Sequence, residues 1–480
     1  MNDCIIQDIA EDLEKQSPKD FQRYHVVSFD EMYIRKNLVF VKTTGKLIGY
    51  VKTDSLDEEL ARLENILSNK ADGADASEKP KPQVASKILV YMVKGLANSV
   101  ASVVACFSVA NLSKEALYFY TWEVISALEL RGLRVAVLAA DGASCNQGFF
   151  QMLVSLEPTK SGVVFVTANL VSGRPLFLIN DPAHLLKTCR NNLFYSGKVN
   201  SRRRGKTQVN KREKGQEKCK YIRLLTKNGE TMTWDTVRRV YEEQKKNTLR
   251  TTWKLNKEDV ELNSFSMMKV PLAAHVLSGS MATELRLYGW PNSAELAVFC
   301  RNMNDFFDMV NGLHSFQATR QQNQNLATYT SLEDERFDKL LTILKYFEEW
   351  DEEVRRLKQK PKENRFISDQ TYTGLERTIR AFIGAVKFVL SEGEGEDPKP
   401  YVNGRTLSSD DLEKYFSKLR GMFGSNRHPD LQQAIQATVK MHSRSSLAFQ
   451  GKKRSNVGKG TEISLADLTA PKTKKARRSL

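Results

Sequence analysis

The sequence predicts an α/β protein: a mixed β-sheet with helices on its faces, followed by a large, mostly helical segment. Between residues 24 and 194, apolar runs of strand length alternate with longer runs of helical periodicity. After about residue 195 long amphipathic patterns dominate, as in 333–357, where Phe337, Leu340, Leu344, Phe347, Val354 and Leu357 recur at helical spacing. At 480 residues and 41% hydrophobic, the chain can bury cores for two or three domains.

In order along the chain, residues 1–23 read as an N-terminal extension. Residues 24–53, "YHVVSFDEMYIRKNLVFVKTTGKLIGYVKT", hold β-rich runs broken by turn signals and are expected to form a three-stranded meander. A charged Ala/Ser/Pro-containing stretch at about 55–86 reads as a mobile linker. Strands resume at "KILVYMV" and "SVASVVACFSV", a helix covers 113–131, and "LRVAVLAADG" is a buried strand ending at Asp141. A helix at "CNQGFFQMLVSL", strands at "GVVFVTA" and "PLFLIND", and a helix at "PAHLLKTCRNNLF" complete the series. Strands, then helix, strand, helix, strands and helix follow the ribonuclease H-like order. It places Asp30 within the first strand and Asp141 at the end of the strand that follows the first helix, where neighbouring strands can bring two carboxylates together.

Residues 195–400 read as a separate helical domain. In "LSSDDLEKYFSKLRGMFGSNRHP" (407–429), Leu412, Phe416 and Leu419 form one apolar helical stripe with Glu413 at its margin. Ser409 or Asp410 is the expected N-cap, and Gly424 with Pro429 supplies the stop. From this stretch alone, Glu413 is a first-turn carboxylate favoured by the helix dipole. Residues 446–480 read as a disordered basic tail.

The six cysteines are scattered, with no CxxC pair and no Cys/His cluster at zinc-ligand spacing, as expected of reduced intracellular thiols. The N-terminus lacks the pattern of a signal peptide, and "GLANSVASVVACFSVA" is too short and polar to span a bilayer. The formal charge of +16 is concentrated: residues 198–220 carry ten basic and two acidic residues, and residues 452–478 nine basic and two acidic, leaving the remainder almost neutral. Two local basic segments suit a polyanion through phosphate contacts. The tail reads equally well as a two-part nuclear import signal, and both readings point to the nucleus.

With "VVSFDEMYI", "AADGASCNQ", "NDPAHLLKTCRNNLF" and "LSSDDLEKYFSKLRGMFGSNRHP" in this order, the chain resembles the P element transposase-like family over about residues 24–445. The resemblance implies a ribonuclease H-like core (24–194 and 401–445) interrupted by an inserted GTP-binding domain (195–400, with the basic loop 198–220). It implies a metal-binding catalytic triad of Asp30, Asp141 and Glu413, which would use Mg²⁺ or Mn²⁺ to cleave and join DNA strands. Carboxylates suit that chemistry because phosphodiester transfer uses two hard cations about 4 Å apart. In the insertion, the resemblance implies phosphate contact by Lys254 and guanine contacts by Val270, Phe307, Asp308 and Asp410, with GTP as ligand. No GxxxxGK[ST] loop occurs, so GTP is expected to be bound rather than necessarily hydrolysed. Glu31 and Asp181 are reserve acids, and Asp-Pro favours a helix-opening role for Asp181.

The sequence departs from the family in lacking a zinc-coordinating module or coiled coil ahead of residue 24, and in carrying Ser409, Tyr415 and Ser417 where glutamine, phenylalanine and glycine are usual. The leading expectation is a DNA transposase or transposase-derived nuclease. A domesticated, non-catalytic DNA-binding or assembly protein is the alternative, and a guanine-nucleotide-regulated binding protein the third. The assembly is left open, a homo-oligomer included.

Overall fold

A computed structural model describes residues 2–42, 45–51, 83–197, 199–201, 220–312, 315–357, 363–424 and 428–452. Most of the expected 55–86 linker, nearly all of the 198–220 basic loop and most of the basic tail lie outside them.

The chain opens with helix α1 (Asp3–Glu14) and strand β1 (Tyr24–Tyr33), followed by β2 (Val39–Val41), β3 (Lys46–Ile48), β4 (Lys87–Gly95) and β5 (Ala101–Val109). Helix α2 (Lys114–Glu129), β6 (Arg134–Ala140), α3 (Ser144–Met152), β7 (Val166–Ala168), β8 (Pro175–Asn180) and α4 (Pro182–Phe194) follow. Six strands form one mixed sheet in the order β5-β4-β1-β6-β8-β7. Strand β1 is antiparallel to β4 and parallel to β6, β6 is parallel to β8, and both edge pairs are antiparallel. The ribonuclease H-like expectation therefore holds at its centre.

Alternation along β4 divides the core between the two sheet faces. Leu89, Tyr91 and Val93 pack with α1, α2 and α3, whereas Ile88, Val90 and Met92 face the opposite way. On that opposite face lie α13 (Asp410–Gly421) and α14 (Leu431–Lys452). The stripe read from the sequence is buried here: Leu412, Phe416 and Leu419 are each at most 4% exposed, and burial of each contributes about 2 kcal/mol.

Several expectations are corrected. The 24–53 stretch is not one meander: β2 and β3 pair only with each other, and the half-exposed hairpin leaves the place beside β1 to the more apolar β4. Residues 1–23 are not a mere extension, because α1 buries Ile5, Ile6, Ile9 and Leu13 against the sheet. The "GVVFVTA" strand is confined to β7. Helix α14 continues to Lys452, past the boundary expected for the tail.

The region 195–400 contains α5 (Trp234–Lys246), α6 (Lys257–Val260), α7 (Val270–Val276), α8 (Gly279–Leu287), α9 (Ala294–Asn311), α10 (Ser315–Gln321), α11 (Glu335–Arg356) and α12 (Asp369–Glu392). It also holds short strands: β9 (Val199–Ser201), β10 (Lys220–Arg223) and β13 (Glu363–Asn364) form one sheet, and β11 (Thr226–Lys227) pairs with β12 (Glu230–Thr231). Two- to four-residue strands leave too short an alternation to read.

Helix α12 is a structural part of the sheet layer. Gly384 brings it so close to β8 that a Cβ would meet Phe177 Cε1 at 2.5 Å, and at Gly374 a Cβ would meet Leu185 Cδ2 at 2.7 Å. The buried Arg377 donates from Nε to the Val164 carbonyl (2.8 Å) and from Nη1 to Asn180 Oδ1 (2.9 Å). Consequently the helical region and the sheet share one continuous hydrophobic core.

Candidate active site

Strand register assembles the first two acids. Ser28 of β1 lies beside Ala139 of β6 in parallel pairing; two residues further along each chain come Asp30 and Asp141. Because a strand repeats every two residues, both belong to the same face of the sheet. Asp30 also lies opposite Val90, whose side chain packs in the cluster with Leu412 and Phe416. The two aspartates therefore lie on the face that α13 covers.

Asp30 Oδ1 accepts from its neighbour's Glu31 N–H (2.7 Å). Burial first, and the Asp141 and Glu413 charges after it, push the Asp30 carboxyl up to about 7, against the Glu31 amide and His184. Asp141 Oδ1 accepts from Ala143 N (2.9 Å) and Asn146 Nδ2 (2.6 Å), which fixes the turn into α3. Glu413, with its side chain 48% exposed, is 3.2 Å from His184 Nε2 through Oε1. That contact holds the Glu413 carboxyl below its ordinary range. Burial works against protonation of His184, but the Glu413 carboxylate and Asp181 outweigh it and raise the imidazole above its usual value.

The reserve acids are otherwise engaged. Glu31 Oε2 is 2.6 Å from Lys87 Nζ. Asp181, 1% exposed, caps α4 by accepting from His184 N (3.1 Å) and accepts from Ser409 N (3.1 Å) through its other oxygen. This is the helix-opening role expected of it. Among the described residues, the potential ligand atoms of Asp181, His184 and Glu413 lie within 4.8 Å of one another. In the sequence the only sign of His184 is its place one turn after a capping aspartate. Beside this centre is a cavity of about 290 Å³, whose wall includes Asp141, His184, Tyr195, Arg223 and Gln370.

A second cavity, of about 520 Å³, lies in the helical region and brings together Lys254, Phe307 and Asp308. Asp308 Oδ2 accepts from Asn304 Nδ2 (3.0 Å) and Asn323 Nδ2 (2.9 Å). Burial nevertheless pushes its carboxyl up to about 6. His275, also in the wall, has Nδ1 3.0 Å from Oδ1 of the fully buried Asp259. Val270 and Asp410 are not among the lining residues. Val270 precedes the lining Pro271 and packs against the core, and Asp410 stands behind the lining Arg405, at 3.0 Å. Asn304, Asn323, His275 and Arg405, which also line this cavity, are solitary polar residues in the sequence without a spacing motif.

Residues 1–154 match the family described as TNP-like, RNase H N-terminal domain, and residues 217–323 the TNP-like, GTP-binding insertion domain. The Transposable element P transposase of Drosophila melanogaster is 22% identical over 311 residues. The chain is a P element transposase-like protein. The alignment covers 64% of this chain but 35% of that relative, so the chain spans about a third of the relative's length. The fold of this transposase-like chain also matches that of the Drosophila P element transposase strand transfer complex, with a TM-score of 0.64 and 18% identity over 91% of this chain and 80% of the other.

The residues of this P element transposase-like protein fit a divalent cation. Burial raises the proton affinity of Asp30 most and the Asp141 and Glu413 carboxylates add to it; a cation relieves that crowding of negative charge as a proton does, and oxygen donors suit Mg²⁺ or Mn²⁺. The second cavity, falling within or beside the matched GTP-binding insertion, offers an aromatic ring, a carboxylate and a lysine together. No described helix of the chain is long and apolar enough to cross a membrane.

Proposed function

We propose that this chain is a DDE-type DNA transposase, or a nuclease derived from one, acting in the nucleus on transposon ends or target DNA. The observation that supports it best is the parallel β1–β6 register, which sets Asp30 and Asp141 side by side under the helix that carries Glu413. Asp30, Asp141 and Glu413 would hold Mg²⁺ or Mn²⁺, which supplies activation of a water or 3′-hydroxyl and stabilisation of the leaving oxygen. Asp30 and Asp141 would hold the cation from the sheet, and Glu413, now 3.2 Å from His184 Nε2, would hold it from α13. Lys254 meets phosphate and Phe307 stacks on guanine, whose N1–H and N2–H Asp308 accepts; Val270 and Asp410 complete that site from behind the wall.

Purified protein with Mg²⁺ and DNA should nick or join strands. Asp141→Ala and Glu413→Gln should each lower the rate about a thousandfold, equivalent to about 4 kcal/mol of barrier. Wild-type rates in both variants would overturn the reading. One observation favours the non-catalytic alternative: the Glu413 carboxylate is engaged by His184. That alternative predicts salt-dependent DNA binding without metal-dependent cleavage.

A further inference from the structure

The peptide unit immediately before α13 is gripped from both ends by buried charges of opposite sign. Lys94 of β4 is 3% exposed, and its Nζ donates to the Ser408 carbonyl at 2.6 Å. Asp181 accepts from the Ser409 N–H at 3.1 Å. The Ser408 carbonyl and the Ser409 amide are the two ends of one planar peptide group, so these contacts fix its tilt. Ser409 is the N-cap of α13 but makes no side-chain capping bond; the helix start is therefore oriented from outside. Its carbonyl in turn accepts from Leu412 N (2.9 Å) and Glu413 N (3.2 Å). A rotation of the 408–409 peptide is thus transmitted directly to the backbone of Glu413.

We propose that Lys94 is a positioning residue for metal binding by Glu413. This rests on the metal-site reading above. A buried ammonium is costly unless paired; Asp411 Oδ2 at 3.5 Å supplies part of that pairing, and the Ser408 carbonyl supplies the rest. Removing the ammonium leaves the peptide held at its amide end alone. The aspartates on β1 and β6 keep their places because strand pairing sets them, whereas Glu413 loses its aim.

The test uses Fe²⁺ in place of Mg²⁺ on the full chain, with ascorbate and peroxide, so that hydroxyl radicals cut the backbone beside the bound metal. In the wild type, cuts are expected near residues 30, 141 and 413. Lys94→Met should keep the first two and lose the third about tenfold, and the Mg²⁺ concentration for half-maximal strand cleavage should rise about tenfold. If Lys94→Met does not fold, Lys94→Gln, which keeps a donor for Ser408, should show a partial loss confined to the cut near 413. Equal cutting at all three places in the folded variant overturns the proposal. Absence of cuts near 30 and 141 in the wild type overturns the metal reading and this inference with it.

Discussion

At the scale of single residues, Asp30 at the acidic centre and Asp308 in the second cavity show one physical device used twice: a carboxyl removed from water until its proton is hard to lose. Asp308 is the better test because its partners are neutral amides. Its carboxyl is raised from 3.8 to about 6, so between those values the folded chain binds more protons than the unfolded chain. Stability must therefore fall as pH rises through that window. Asp308→Asn should stabilise the nucleotide-free protein at neutral pH by about 1–2 kcal/mol, allowing for partial solvent access, as read from denaturant midpoints. If Asp308 recognises guanine as a carboxylate, GTP affinity should tighten with rising pH, by up to about tenfold per unit below its pKa, then level off. Calorimetry of the wild type against Asp308→Asn isolates this from titration of GTP itself. A pH dependence identical in the two proteins would exclude the contact.

At the scale of elements, α12 shows how closely the helical region is fitted to the sheet. Gly384 leaves no room for a side chain against Phe177, and that ring belongs to a strand held on both sides. Gly384→Val should destabilise by about 1–3 kcal/mol through overpacking, shifting the denaturant midpoint without changing the slope. An unchanged midpoint would mean that the helix can move away from β8. The same helix marks the limit of what was legible in the sequence. Strands β1, β4, β5, β6 and β8 were readable because each carries a long apolar run, and α13 because its stripe is regular. The membership of α12 in the sheet layer was not, since a buried helix has the same periodicity whichever neighbour it meets. At the site, Asp30, Asp141 and Glu413 are ordinary one by one: a polar residue in a strand, a turn former before glycine, a first-turn acid. Order among four motifs singled them out, whereas Lys94, His184 and Asn304 take their roles from contacts between segments far apart in the chain, which spacing does not encode.

At the scale of the whole molecule, the insertion and the sheet are expected to behave as one cooperative unit. Tyr24, Val26, Val137 and Ile179 of the sheet belong to the same buried cluster as Trp234, Phe299, Trp350 and Phe382 of the helical region. Polar ties reinforce the join: Arg190 Nη2 of α4 donates to the Met267 carbonyl (2.9 Å), and Ser368 N to Asn192 Oδ1 (3.1 Å). A domain boundary crossed by a continuous core cannot open without exposing apolar surface on both sides. Calorimetric and van't Hoff enthalpies should therefore agree, as for a single two-state transition. Phe382→Ala, which empties a fully buried site packed edge-on against Tyr329 (5.4 Å), should cost about 3–5 kcal/mol. That loss should accelerate thiol labelling of the fully buried Cys189 in α4 and Cys300 in α9 by the same factor. Labelling of Cys300 alone, with Cys189 still protected, would show instead that the nucleotide cavity opens independently of the acidic centre, and the two sites would then have no common structural frame through which one sets the geometry of the other.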